Sequence, residues 1–368
     1  MNTRLGQGRV QRGAGSRRAG SSPRAGVLQR RAILFSMISV LLATFFILLF
    51  WNANAPRLER TTSAVETRVN VMDHYIGLWD SYVEDSLRFS TRGALIEIAT
   101  QLEGKSYAVS KSQMTGNLSR CLEEGTFNPA GSDVSCSPGG VSETFESRLN
   151  NFTRLASDEL GITTTYGVSQ EYTIKDWSPF EIMVSFVMNY TVGDGFAQWN
   201  RSVRHDVVVS VVGVPDPLFA RYGSTLTLGG QPWHRNITKF PVPRELLTQH
   251  NLSSMIANAS YVNNRGMGPT FLERLAGKIT GSLDSDNRSG IETLMDPADI
   301  GVILLPSLSN YSHVAHQLFA HEVFLCGNET LGINSAAGGF AYPHFRLDIP
   351  HIARFNMNNV TFWNQTCY

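Results

Sequence analysis

Twenty consecutive residues without a charge, Ala32 to Trp51, follow a run of arginines and decide the solvent in which the rest of the chain must fold. At about 1.5 Å rise per helical residue they span about 30 Å, the hydrocarbon thickness of a bilayer. Thirteen of the twenty are Leu, Ile, Val or Phe. Their summed preference for lipid, on the order of −6 kcal/mol, outweighs the few hydroxyls. Ser36, Ser39 and Thr44 can return theirs to carbonyls one turn back. The segment reads as a transmembrane helix.

Charge sets its orientation. Arg4, Arg9, Arg12, Arg17, Arg18, Arg24, Arg30 and Arg31 precede it, with no lysine and no acidic residue. Such a flank stays in the cytoplasm. The formal net charge of zero conceals an exported remainder near −8, with 23 basic against 31 acidic groups. That remainder has no electrostatic basis for binding nucleic acid. Residues 1–31 read as a basic, disordered cytoplasmic tail and 32–51 as the membrane helix. The rest is then extracellular, on a single-pass cell-membrane protein whose first partner is the lipid bilayer.

A cleaved export signal is the competing reading, since Ala53-Asn54-Ala55 fits an A-x-A exit site. The apolar core is long for such a signal, and Pro56 directly after the site disfavours cleavage. Retention is expected. Arg30-Arg31-Ala32 followed by Ile33-Leu34 also resembles an archaeal prepilin leader, although Met37 stands where bacterial pilins carry glutamate.

Twelve N-x-S/T sequons lie beyond the membrane segment and none before it: Asn117, Asn151, Asn189, Asn200, Asn236, Asn251, Asn258, Asn287, Asn310, Asn328, Asn359 and Asn364. They point to a glycoprotein surface. Cys121, Cys136, Cys326 and Cys367 all lie on the same side. Of three possible pairings, Cys121 with Cys136 and Cys326 with Cys367 are expected. No spacing of zinc type accompanies them.

From Val65 apolar residues recur by fours and threes through Val69, Met72, Ile76, Trp79 and Val83, then less regularly to Leu102. This is a heptad seam on a stalk helix over 52–104, with Pro56 suited to its start. The seam can pack on the protein's own body or drive self-association through 58–102. Gly77 and Gly93 weaken a free-standing helix by about 1 kcal/mol each, which favours partial packing on the body. After Gly104 a disulfide-bounded loop is expected, then a helix from Ser142 to Leu160 stopped by Gly161. Two alternating strands follow, 181–192 and 199–211, around Gly193-Asp194-Gly195. Asn189 and Asn200 fall on their polar faces. Region 105–218 is thus an α+β domain with antiparallel strands. Region 219–368 reads as mixed α/β, with helices near 244–260, 270–278 and 290–296 and strands near 302–305, 318–326 and 340–349. The fold class is α+β.

The strongest enzymatic lead is His313, His316, His321, His344 and His351 with Glu322 and Asp348, residue types suited to metal binding or proton transfer. Their spacing matches neither H-E-x-x-H nor a nucleophile elbow. Asp284 to Glu292 resembles a calcium loop but has Arg288 where an oxygen donor belongs. No catalytic residue, metal or cofactor is therefore expected.

Several stretches are similar to an uncharacterised family of single-span, pilin-like surface proteins of small-genome archaea. They are TRVNVMDHYIGLWDSYVEDSLRFSTRGALIEI (67–98), WSPFEIMVSFVMNYTV (177–192), VVVSVVGVPDPLF (207–219), GPTFLERLAG (268–277), SGIETLM (289–295) and FRLDIPHIARFNM (345–357). The resemblance implies a basic-then-apolar entry and an exported domain, and it carries over no catalytic residue. The expected function is a structural or interaction role at the cell surface, with the protein or glycan partner unspecified. A filament subunit and an anchored hydrolase using the C-terminal histidines are the alternatives.

Overall fold

The computed structural model describes residues 25–102, 110–128, 134–136, 144–168, 171–222, 235–264, 267–279, 290–296, 312–320, 330–333, 342, 345–355 and 362–363. The chain divides into two units, Met1–Tyr75 and Ile76–Tyr368. Cys326, Cys367, Asn287, Asn310, Asn328, Asn359 and Asn364 lie outside the described residues, as does the predicted strand at 302–305.

Helix α1 (Ala25–Gln101) runs through the first unit without a break, so Pro56 starts no new helix. Thr44 donates its hydroxyl to the Val40 carbonyl at 3.0 Å, the internal satisfaction that an apolar solvent demands. Side chains along the apolar stretch are described for 39–48, and all of them are exposed. Among them are Val40, Leu41, Leu42, Phe45, Phe46, Ile47 and Leu48. Among the described residues no helix is long and apolar enough to cross a membrane. Val65 and Val69, the first two positions of the heptad seam, are exposed rather than packed.

In the second unit the seam is buried. Trp79, Val83, Leu87, Leu95 and Ile98 have no exposed surface. They cover a sheet and a helix of the same unit, as expected of packing on the body. Trp79 lies 5.8 Å from Phe152, 5.5 Å from Tyr166 and 6.1 Å from Tyr190, ring centre to ring centre. Polar edges lock the register: Tyr190 Oη donates to Asp80 at 2.7 Å, and Arg92 donates to the Ser210 and Val212 carbonyls at 2.9 and 2.7 Å.

The predicted disulfide loop begins with a helix instead, α2 (Lys111–Glu124). Its start is a capping box: Gln113 N donates to Ser110 Oγ and Ser110 N donates to Gln113 Oε1. Cys121 on this helix is bonded to Cys136, with 5.6 Å between their Cα atoms. The bond ties α2 to the small ladder of β1 (Thr126–Phe127) and β2 (Val134–Ser135). The cross-link spans 15 residues, and its removal by Cys121→Ser is expected to cost about 3 kcal/mol. Urea unfolding of the wild type with and without reductant, beside the variant, measures it; a loss below about 1 kcal/mol would show a strongly restrained reduced chain.

Helix α3 (Phe145–Leu160) starts at Phe145 rather than Ser142 because Thr144 caps it, accepting from Ser147 N. It stops as predicted at Gly161, whose φ of 65° is the left-handed geometry that glycine tolerates. The central sheet contains β3 (Thr163–Val168), β4 (Thr173–Ser178), β5 (Glu181–Gly193) and β6 (Gln198–Ser210), all antiparallel. β6 pairs β5 along its whole length, while β3 and β4 pair its two halves. Ile182, Val184, Phe186, Met188, Tyr190 and Val192 all face inward, as their alternation predicts. Asn189 and Asn200 are exposed. So are Asn151, Asn236 and Asn258; Asn117 and Asn251 are half-buried.

The C-terminal part is built of short pieces. They are α4 (Pro217–Tyr222), α5 (Gln249–Ala257), β7 (Tyr261–Asn263), α6 (Phe271–Leu275), β8 (Ile291–Thr293), α7 (Ala315–Ala320), β9 (Thr330–Ile333), β10 (Arg346–Asp348), α8 (Ile349–Arg354) and β11 (Phe362–Trp363). β7 pairs β8, and β9 lies between β10 and β11. The predicted helix at 290–296 is the strand β8, and the predicted strand at 318–326 begins inside helix α7. Residues 290–295 and 315–319 are buried throughout, and for such runs apolar periodicity cannot separate helix from strand. Leu252, Met255, Val262, Leu294, Phe345 and Phe355 form the core beneath them.

Candidate functional site

Four ionisable side chains meet inside this C-terminal core. All three residues of β8 are buried, and alternation sends Glu292 to the opposite face from Ile291 and Thr293. Asp348 caps α8, its Oδ1 accepting from His351 N at 2.7 Å. The cap turns the aspartate back over the first turn, so that the same oxygen lies 2.6 Å from His351 Nδ1. The other edge of that imidazole points at β8: His351 Nε2 is 2.9 Å from Glu292 Oε1. His316, on α7, places its Nε2 3.7 Å from the same oxygen.

A second set of contacts holds these groups. Gln317 donates to Asp348 Oδ2 at 2.6 Å. Asn264 donates to Glu292 Oε2 and accepts from Arg354 Nη1 at 2.8 Å. That reach depends on a close backbone approach: a Cβ on Gly268 would stand 2.6 Å from the Ile291 carbonyl. Glycine lets the turn after β7 lie directly on β8.

Electrostatics separates the two imidazoles. Burial pushes His316 down to about 4, so it is neutral and its contact with Glu292 is no ion pair. Burial acts on His351 in the same direction, but the Glu292 charge and the hydrogen bonds to Asp348 and Glu292 outweigh it and raise it to about 10. Burial would raise Glu292 as well; the adjoining His351 charge reverses that and holds the carboxyl below its ordinary value. Asp348 is lowered too: burial opposes the shift, and the hydrogen bond from His351 outweighs it.

The ligand-type atoms of Glu292, His316 and His351 all lie within 4.8 Å of one another, and all three residues are buried. Two imidazoles and a carboxylate in that space can hold a divalent ion or form a buried Asp–His–Glu relay. None of the three lines the surface concavities beside Glu146, Tyr190 or Phe196.

Of the predicted histidine group, the fold brings together His316, His351 and Asp348. His313 goes elsewhere, its Nδ1 accepting from Arg346 N at 2.9 Å. His321, Glu322 and His344 lie outside the described residues, as do Asp284, Asp286 and Arg288 of the calcium-like loop. Glu292, the last residue of that loop pattern, belongs to the imidazoles, 59 residues before His351 in the chain. Sequence reasoning missed it. The signal was a lone carboxylate inside the apolar run Ile291 to Met295.

Beside the cluster sits a second buried charge pair. Arg274 Nη1 donates to Asp216 Oδ2 at 2.7 Å, and Tyr261 Oη donates to the same oxygen at 2.8 Å. Arg274 also donates to the carbonyls of Pro269 and Ile291, which ties α6 to β8.

Comparison with known proteins finds no matching family model, curated protein or solved structure.

Proposed function

We propose that the chain is a single-pass membrane protein that displays its carboxyl-terminal body outside the cell, in a structural or interaction role. The observation that carries this reading is the first unit: an uninterrupted helix presents Val40, Leu41, Leu42 and Phe45 to Leu48 outward, behind eight arginines. In water so much exposed hydrocarbon is unfavourable; in lipid it is the ordinary surface of a spanning helix. The Cys121–Cys136 bond suits an oxidising exterior, and the exposed sequons Asn151, Asn189, Asn200, Asn236 and Asn258 suit glycosylation there.

Mechanistically the anchor fixes position, the helix carries the seam outward, and the body is held by its core and disulfide. The basic-then-apolar entry and an exported body are also what the archaeal surface-protein resemblance implies. A second reading, a pilin-like subunit that self-associates, is favoured by the exposed Val65 and Val69 on the same helix.

Intact cells treated with protease are expected to lose the body, while the anchor stays in a carbonate-washed membrane pellet. A chain lacking residues 1–55 is expected in the soluble fraction. A full-length chain that washes off at high pH, or a body protected in intact cells, would sink the reading.

A further inference from the structure

Glu292, His316 and His351, we propose, form a binding site for one divalent transition ion of the zinc type, with Asp348 and Asn264 as the residues that orient the ligands. Four geometric features carry this. The three ligand atoms converge within 4.8 Å although they come from a strand and two separate helices. Two nitrogens and one carboxylate oxygen match a borderline-soft ion; calcium and magnesium require six or more oxygens. His351 presents Nε2 to the site while Asp348 holds its Nδ1 at 2.6 Å, the carboxylate–imidazole arrangement that fixes a metal ligand's ring and raises its basicity. Glu292 is steadied in the same way by Asn264.

His316 supplies the fourth feature. It is almost fully buried, and its ring turns Nε2 toward the Glu292 carboxylate. Its Nε2 stands 3.7 Å from Glu292 Oε1, too far for a hydrogen bond. Ligand atoms held at about 2.0–2.1 Å from a tetrahedral ion stand roughly 3.3 Å apart, so a small inward shift brings this nitrogen into place. The ion takes the position of the hydrogen between His351 Nε2 and Glu292, whose 2.9 Å contact opens as that proton leaves to solvent. A tetrahedral ion takes its fourth ligand from water. Burial of all three side chains gives the ion a structural role, tying β8, α7 and α8 together.

The test uses the full-length protein in detergent, without a polyhistidine tag. Metal content is measured by mass spectrometry, and chelator-stripped protein is then titrated with cobalt(II) under visible absorption, with zinc(II) as competitor. The expected result is about one ion per chain, intense tetrahedral cobalt bands displaced by zinc, and a higher Tm with zinc. Asp348→Asn, which keeps a capping side chain, should weaken binding about 10–100-fold. His316→Ala should weaken it further, and His250→Ala, at an exposed imidazole, should not change it. Absence of saturable cobalt binding by folded wild-type protein overturns the site and leaves the buried ion relay. Folded His316→Ala and Asp348→Asn variants that bind as tightly as wild type also overturn it. Should a variant fail to fold, the wild-type stoichiometry and spectrum decide.

Discussion

Arg274→Ala is expected to lower the unfolding free energy by about 3–5 kcal/mol, the cost of removing one partner from a buried charge pair. Neither Arg274 nor Asp216 has side-chain surface exposed to water. Without the guanidinium, Asp216 keeps the Tyr261 hydroxyl and the Leu218 amide as its side-chain donors among the described residues, the Ile291 carbonyl loses the Arg274 donor, and the Pro269 carbonyl is left with the Ile291 amide. Chemical denaturation of the detergent-solubilised chain, followed by circular dichroism, reads the loss. Adding Asp216→Ala to Arg274→Ala should restore part of it, because the second change removes the stranded charge. A single-variant loss below about 1 kcal/mol would place the pair in the range of exposed ion pairs and refute this account.

Trp79→Ala should cost a similar amount, about 3–5 kcal/mol. The indole is the contact through which the seam of α1 meets Phe152 of α3, Tyr166 of β3 and Tyr190 of β5. Truncation removes those contacts and leaves a cavity beneath three elements that cannot all move inward. Trp79→Phe should cost much less, since the indole Nε1 has no hydrogen-bond partner to lose among the described residues. Equal losses in both variants would mean that the N–H, not the ring packing, matters. The same denaturation series measures the pair.

Local signals proved most legible where one face of an element is buried and the other is wet. The seam from Ile76 to Leu102, the stop at Gly161 and the alternation of β5 and β6 all follow from single periodicities with polar intervals. Helix α2 escaped notice although Ser110 and Gln113 spell its capping box. In the C-terminal part the elements are two to nine residues long, and β8, β10 and residues 315–319 of α7 are buried throughout, so no polar face marks their period. There the pattern reads β8 as part of a helix and residues 318–320 of α7 as the start of a strand.

The candidate site shows the same limit in sharper form. His316, His351 and Asp348 stood out by residue type, but spacing along the chain argued against a shared role. Metal-type motifs such as H-E-x-x-H place their ligands on one helix, so their spacing is readable. Here the ligand-type atoms come from β8, α7 and the start of α8, and they converge only because β8 pairs β7 while Asp348 caps α8. Glu292 had no partner at any short spacing.

From the sequence by itself came the apolar segment and its basic flank, the seam, the alternating strands and the Cys121–Cys136 pairing, because each depends on residues close together or on a fixed repeat. Tertiary structure alone decided that Glu292 meets His316 and His351, that Arg274 meets Asp216, and that the seam is buried from Met72 onward while Val65 and Val69 are bare. Long-range contacts depend on how separate elements pack. A buried charge is tolerated only where that packing brings it a partner, a condition that no local pattern encodes.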